Sequence, residues 1–184
     1  MKIAITGTIG SGKSETSNYL RSLGCCVFDC DAVNRQLLKE RAYELLKEDF
    51  PECFIGKELD KKKLTQTVFS DPERKERLES IMHPEILKEM LKIETDPLFA
   101  EVPLLFESGW DVYFDRKILI VADEETALER LVDRGLEKED AMARLQSQMP
   151  VSEKMKRADK IIYNNGSLQD LYAQIDEALK EILC

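Results

Sequence analysis

The sequence predicts a three-layer α/β fold, a central parallel five-stranded sheet with helices on both faces, interrupted by a helical insertion. Three observations predict it. Short apolar runs alternate with longer segments of helical spacing, hairpin signals are sparse, and the first apolar run ends in a glycine-rich loop that opens straight into a helix.

Each element follows from local pattern. Residues 2–6 are a short apolar run that stops at glycines, and Lys13 to Leu23 continues at helical length. Cys25 to Phe28, directly after Gly24, reads as the second strand. From about Val33 to Glu94 the apolar residues keep helical spacing (Leu37, Leu45, Leu64, Val68, Leu78, Ile86), with breaks expected at Pro51, Gly56, Asp71-Pro72 and His83-Pro84. Strand signals return at Leu98 to Leu105, at Lys117 to Ala122 and at Ile161 to Tyr163. A helix from Thr126 to Asp133 starts behind the acidic run Asp123-Glu124-Glu125, and a closing helix from Leu168 to Leu183 places Leu171, Ile175, Ala178 and Ile182 on one face.

Composition narrows the function. With 36 acidic against 27 basic residues in 184, the net charge is −9, which disfavours a nucleic-acid backbone as partner. The longest uncharged stretch, Ile3 to Gly12, is about half of what a membrane-spanning helix needs, so no membrane span is expected, and a cytoplasmic location follows as the default. Five cysteines (Cys25, Cys26, Cys30, Cys53, Cys184) without metal-type spacing, and a single histidine, His83, point to reduced thiols rather than disulfides or a zinc site.

The chemistry centres on Gly7-Thr8-Ile9-Gly10-Ser11-Gly12-Lys13-Ser14, a full G-x-x-x-x-G-K-[ST] phosphate loop between a strand and a helix. The glycines let successive N–H groups converge on one point, and the positive end of the helix adds to them, forming a site for the α- and β-phosphates of a nucleoside triphosphate. Lys13 would reach the β- and γ-phosphates, and Ser14 would ligate Mg²⁺. No Asp stands three positions before any glycine and no Asn is followed by Lys, so a regulatory GTPase is disfavoured. At the end of the second strand, Asp29-Cys30-Asp31 offers two carboxylates that extended backbone would point in different directions, one to the metal and one to an acceptor hydroxyl; a helix cap by Asp31 is the competing reading.

These motifs, taken in order, resemble the dephospho-CoA kinase family. Thr6-Gly7 through Lys13-Ser14 resembles its phosphate loop, and Phe28-Asp29-Cys30-Asp31 its Asp-Ala-Asp strand end. Ile81-Met82-His83-Pro84-Glu85-Ile86 resembles its His-Pro segment, and Val102-Pro103-Leu104-Leu105-Phe106-Glu107 its Pro-Leu-Leu-Phe-Glu strand. Arg144 and Gln148 resemble its lid, and Ala158-Asp159 with Asn164 and Gly166 its nucleotide-base end. The resemblance implies a P-loop NTPase fold with a core of residues 1–35 and 96–184, a lid at about 134–157 and a helical acceptor-binding insertion at 36–95. It implies transfer of the ATP γ-phosphoryl, with Mg²⁺, to the ribose 3′-hydroxyl of dephospho-CoA; the sequence leaves the oligomeric state open, with a monomer favoured. Asp31 becomes the base and Asp29 the metal-side carboxylate. Gly10, Ser11, Gly12, Lys13, Ser14, Glu15 and Asn164 bind ATP, and Arg35, His83 and Glu107 join Asp31 on the acceptor. Glu15 departs from the Thr common in the family: its N–H still serves the α-phosphate, but its acid must point away. From Arg130 to Lys160 eight basic residues face six acidic ones, a local +2 in which Arg144, then Arg134, are the cations best suited to a developing phosphoryl charge. Rival readings are another small-molecule kinase, for nucleoside monophosphates or shikimate, and a nucleotide sensor.

Overall fold

The architecture comes from a computed structural model that describes residues 1–183. Cys184 lies outside them; among the described residues Cys25, Cys26, Cys30 and Cys53 form no disulfide, and the last two are buried. The chain forms two compact units, Met1–Phe28 together with the chain from Thr95 onward, and Asp29–Glu94.

The first unit is built on a central parallel five-stranded sheet. Its strands are β1 (Lys2–Gly7), β2 (Cys26–Asp29), β5 (Leu98–Glu101), β6 (Arg116–Val121) and β7 (Lys160–Tyr163), in the order β2-β5-β1-β6-β7. The central β1 is apolar on both faces, with Ile3, Ala4 and Ile5 fully buried, as a strand covered by helices on both sides must be. Ile3, Ile5, Phe99, Ile118, Ile120 and Ile162 pack against Leu20 of α1 (Lys13–Ser22) and against Leu171, Ile175 and Ala178 of α9 (Leu168–Leu183). The closing helix thus spans its predicted bounds, because its apolar stripe is a complete helical face. Between β6 and β7 lie α6 (Glu124–Asp133), α7 (Lys138–Gln146) and α8 (Val151–Arg157), with α8 resting on β6.

The second unit holds α2 (Cys30–Glu40), α3 (Ala42–Leu46), α4 (Lys61–Ser70) and α5 (Pro72–Leu91), around buried Leu37, Leu46, Phe50, Leu64, Met82, Ile86 and Met90. Asp60 and Asp71 cap α4 and α5 by accepting from Lys63 N and Glu73 N.

Three expectations are corrected. The strand expected over Leu98 to Leu105 ends at Glu101, because Val102 N makes the last ladder bond, to Ile5 O, and Pro103 has no N–H to continue it. The break expected at His83-Pro84 is absent: α5 runs through Pro84, which lies exposed, while Met82, Ile86 and Met90 seat the helix on either side of it. A short antiparallel hairpin, β3 (Phe54–Ile55) with β4 (Glu58–Leu59), interrupts the helical insertion at the Gly56-Lys57 turn. No helix among the described residues is long and apolar enough to cross a membrane.

Candidate active site

β1 delivers the chain at Gly7 to the loop Thr8–Gly12, and α1 begins at Lys13. Gly12 is the N-cap of α1 with φ +103, a conformation that side chains resist, and a Cβ there would lie 2.1 Å from Asn164 Nδ2. At Gly10 a Cβ would come within 2.7 Å of Ala127 O. Both glycines are therefore demanded by close packing as well as by backbone shape. Lys13 Nζ donates to Gly7 O (3.0 Å) and Thr8 O (2.8 Å), so the ammonium lies across the loop it serves.

Ser14 Oγ donates to Glu101 Oε1 at 2.9 Å. Glu101 ends β5, adjacent to β1 in the sheet, and is only 7% exposed. A hydroxyl and a nearly buried carboxylate beside a phosphate loop are hard oxygen donors of the kind Mg²⁺ takes along with substrate phosphates. Sequence reasoning missed Glu101. The available signal was an acid at the end of the otherwise apolar run Leu98-Phe99-Ala100.

Asn164, the other nucleotide-site candidate, is buried and donates from Nδ2 to Ser11 O at 2.8 Å. Its amide therefore braces the phosphate loop from beneath. A second brace comes from Gln148, whose Oε1 accepts from Ile9 N at 2.9 Å. Next to Gly12 and Asn164 opens a cavity of about 380 Å³, lined also by Glu15, Arg130, Asp133 and Arg134. Arg130, not singled out in the sequence, points Nη1 at Gly10 O, 3.5 Å away. The acid at Glu15 is accounted for: its Oε1 accepts from the Tyr172 hydroxyl, and this bond pushes the Tyr172 phenol above its usual range.

The remaining candidates divide. Glu107 is not at a strand end. It lies in the turns after β5, where Oε1 pairs with Lys154 Nζ at 2.6 Å and accepts from Met149 N at 3.2 Å. Lys154 is completely buried, so this pair pins α8 to the core. Arg157 strengthens the attachment, donating to Asp111 Oδ1 (2.8 Å) and stacking over Phe106. Arg144 is exposed on α7.

Asp31, Arg35 and His83 belong to the second unit. Asp29, in extended conformation, is the N-cap of α2, and its Oδ1 accepts from Ala32 N at 2.8 Å. The cap is Asp29, not Asp31. Asp31 sits in the first turn of α2, so the two carboxylates are not both on extended backbone. Asp31 and Arg35 are exposed. His83 is half-buried inside α5, and burial lowers its pKa below the ordinary value against a smaller opposing pull from Glu79.

A family model described as dephospho-CoA kinase matches residues 1–170. A dephospho-CoA kinase of Thermus thermophilus is 43% identical over 186 residues, covering 98% of this chain and 89% of the relative. Two solved structures align over nearly full length. One, from Thermus thermophilus, has a TM-score of 0.85 at 42% identity, covering 100% of this chain and 96% of its own. The other, the dephospho-CoA kinase of Campylobacter jejuni, has a TM-score of 0.72 at 34% identity, covering 99% and 98%.

Proposed function

The chain belongs to the dephospho-CoA kinase family, and from that premise we propose that it transfers the γ-phosphoryl of ATP directly to the ribose 3′-hydroxyl of dephospho-CoA, giving coenzyme A and ADP, with Mg²⁺ and in the cytoplasm. The observation that carries this reading is the braced phosphate loop, with Ser14 bonded to Glu101 and a nucleoside-sized cavity beside Gly12. The loop N–H groups from Gly10 to Glu15 and the Lys13 ammonium would hold the triphosphate. They would sit where negative charge develops on the moving group. Ser14, with Glu101 behind it, would take Mg²⁺, which supplies charge neutralisation to the β- and γ-phosphate oxygens. Glu101 joins Asp29 as a metal-side carboxylate and is the better placed to orient Ser14, since Asp29 already spends one oxygen on its helix cap.

On the acceptor side, Asp31 takes the proton of the 3′-hydroxyl, while Arg35 and His83 contact the acceptor. We assign Glu107 to fixing α8 rather than to the acceptor, because its carboxylate is committed to Lys154 and Met149. Arg144 and Arg134 bring positive charge over the phosphates when the lid closes. Closure is proposed for α7 and its flanks, since α8 is anchored by Lys154 and Arg157. Net charge −9 makes nucleic acid an unfavourable partner.

The test is ADP production by the purified chain with ATP and Mg²⁺, offered dephospho-CoA, AMP, UMP and shikimate in turn. Turnover dependent on dephospho-CoA alone is expected. Turnover with AMP, UMP or shikimate and none with dephospho-CoA would overturn the acceptor, and ADP release indifferent to all four would favour a nucleotide sensor.

A further inference from the structure

We propose that Glu15 reads the sugar of the bound nucleotide, its carboxylate accepting a hydrogen bond from a ribose hydroxyl, and that Tyr172 holds it in position to do so. The inference rests on the assignment of the phosphate loop to ATP.

Glu15 is the third residue of α1, immediately after the phosphate-loop Ser14, and it lines the cavity of about 380 Å³ next to Gly12 and Asn164. A ligand whose phosphates lie on the loop can extend only its nucleoside part into that cavity. A carboxylate there repels phosphate and attracts hydrogen-bond donors, and the donors next along a nucleotide from its phosphates are the sugar hydroxyls. An ionised carboxylate offers about four acceptor sites. Tyr172 fills one on Oε1, and Oε2 has no hydrogen-bond partner among the described residues. Arg130 and Arg134 line the same cavity, so that two guanidiniums balance the two carboxylates there, Glu15 and Asp133, beside a phosphate site.

What makes Glu15 a built feature is the support behind it. The Tyr172 ring stacks on Tyr19 with centroids 4.0 Å apart and planes 6° from parallel. Tyr19 in turn donates to Asp176 Oδ1 at 2.9 Å. Two phenols, one from α1 and one from α9, thus lock each other, and the hydroxyl of one fixes the Glu15 carboxylate. A rotamer-rich acid is thereby immobilised before the ligand arrives, which reduces the ordering cost of a hydrogen bond to it.

The experiment measures kcat and KM of the full chain for ATP, 2′-deoxy-ATP and 3′-deoxy-ATP at saturating dephospho-CoA, with calorimetric binding of the same nucleotides in the absence of acceptor. The analogue lacking the recognised hydroxyl should bind roughly 10- to 100-fold more weakly, as expected for a lost hydrogen bond to a charged group, with kcat nearly unchanged. Glu15→Ala should bring all three nucleotides within about threefold of one another, and Tyr172→Phe should give an intermediate ratio. Glu15→Gln, which keeps a neutral acceptor and the Tyr172 contact, should also retain part of the discrimination and serves if the alanine variant does not fold. Equal affinity of the unaltered chain for all three nucleotides would overturn the proposal. So would discrimination that survives Glu15→Ala while stability falls, since that result would make the Glu15–Tyr172 pair a strut between two helices. Absence of turnover with dephospho-CoA would strike the assigned reaction instead, and the calorimetric ratios would still decide the role of Glu15.

Discussion

Asp29 and Asp31 show how far a single residue's surroundings separate two identical side chains. Asp29 accepts from Ala32 N as the cap of α2, whereas Asp31, two residues on, is exposed in the first helical turn. Asn caps a helix about as well as Asp, so Asp29→Asn should unfold within about 0.5 kcal/mol of the parent, while Asp29→Ala should lose about 1 kcal/mol. If Asp31 is the base, Asp31→Asn should reduce kcat by roughly 10²–10⁴ and leave ATP binding largely intact. Steady-state kinetics of both Asn variants beside urea unfolding separates the roles. A larger fall in kcat for Asp29→Asn than for Asp31→Asn would reverse the assignment. The phosphate loop offers a sharper case: Gly12→Ala places a Cβ 2.1 Å from Asn164 Nδ2 at φ +103, so it should abolish measurable nucleotide binding in calorimetry, whatever nucleotide is offered.

At the level of elements, α8 is held by a charge pair between its buried Lys154 and Glu107 in the turns after β5. Lys154 is fully buried and Glu107 is partly open to water, so their removal is not symmetric. Glu107→Gln leaves a buried cation with no counter-charge and should cost about 3–5 kcal/mol. Lys154→Met leaves a carboxylate that water can reach and should cost less, about 1–2 kcal/mol. Urea unfolding of the two variants checks the order, and a larger loss for Lys154→Met would contradict it. This pair also marks what the sequence could and could not reveal. The phosphate loop, the five sheet strands and the closing helix are legible because their chemistry is local, in glycines at fixed spacing, short apolar runs and one complete apolar face. Glu101 escaped notice because its meaning depends on β5 lying beside β1, which brings its carboxylate to Ser14. Glu107 looked like a strand end because nothing local reveals that Lys154, far along the chain, comes back to it. Pro84 looked like a break because its missing N–H is visible in sequence, whereas the buried Met82 and Ile86 that carry α5 past it are not.

Across the whole molecule, the two units should fail at opposite ends of the pH scale. Within Asp29–Glu94, the Arg77 guanidinium lowers the pKa of Asp49, Lys88 and then Arg41 lower that of Glu85, and burial lowers that of His83. Each of these groups binds protons more readily when unfolded, so its contribution is present above the unfolded pKa and is lost as pH falls through the folded one. For His83 the loss begins below about 6.5, and for the two carboxylates below about 4. The first unit carries the reverse device. Tyr19 and Tyr172 have raised pKa values because their hydroxyls donate to Asp176 and Glu15, so their contribution is complete below about 10 and disappears as pH rises beyond it. Asp170, lowered by Ser167, is the acid-labile exception there, at the exposed start of α9. Amide hydrogen exchange read by mass spectrometry, corrected for the intrinsic pH dependence of exchange, should therefore show residues 29–94 opening first as pH drops from 7 to 4. Above about pH 10 it should show α1 and α9 opening first. Tyr19→Phe with Tyr172→Phe should flatten the alkaline limb and leave the acid limb unchanged. Acid opening that starts in α1 and α9 would show that the carboxylates and His83 of the insertion do not set the acid limit.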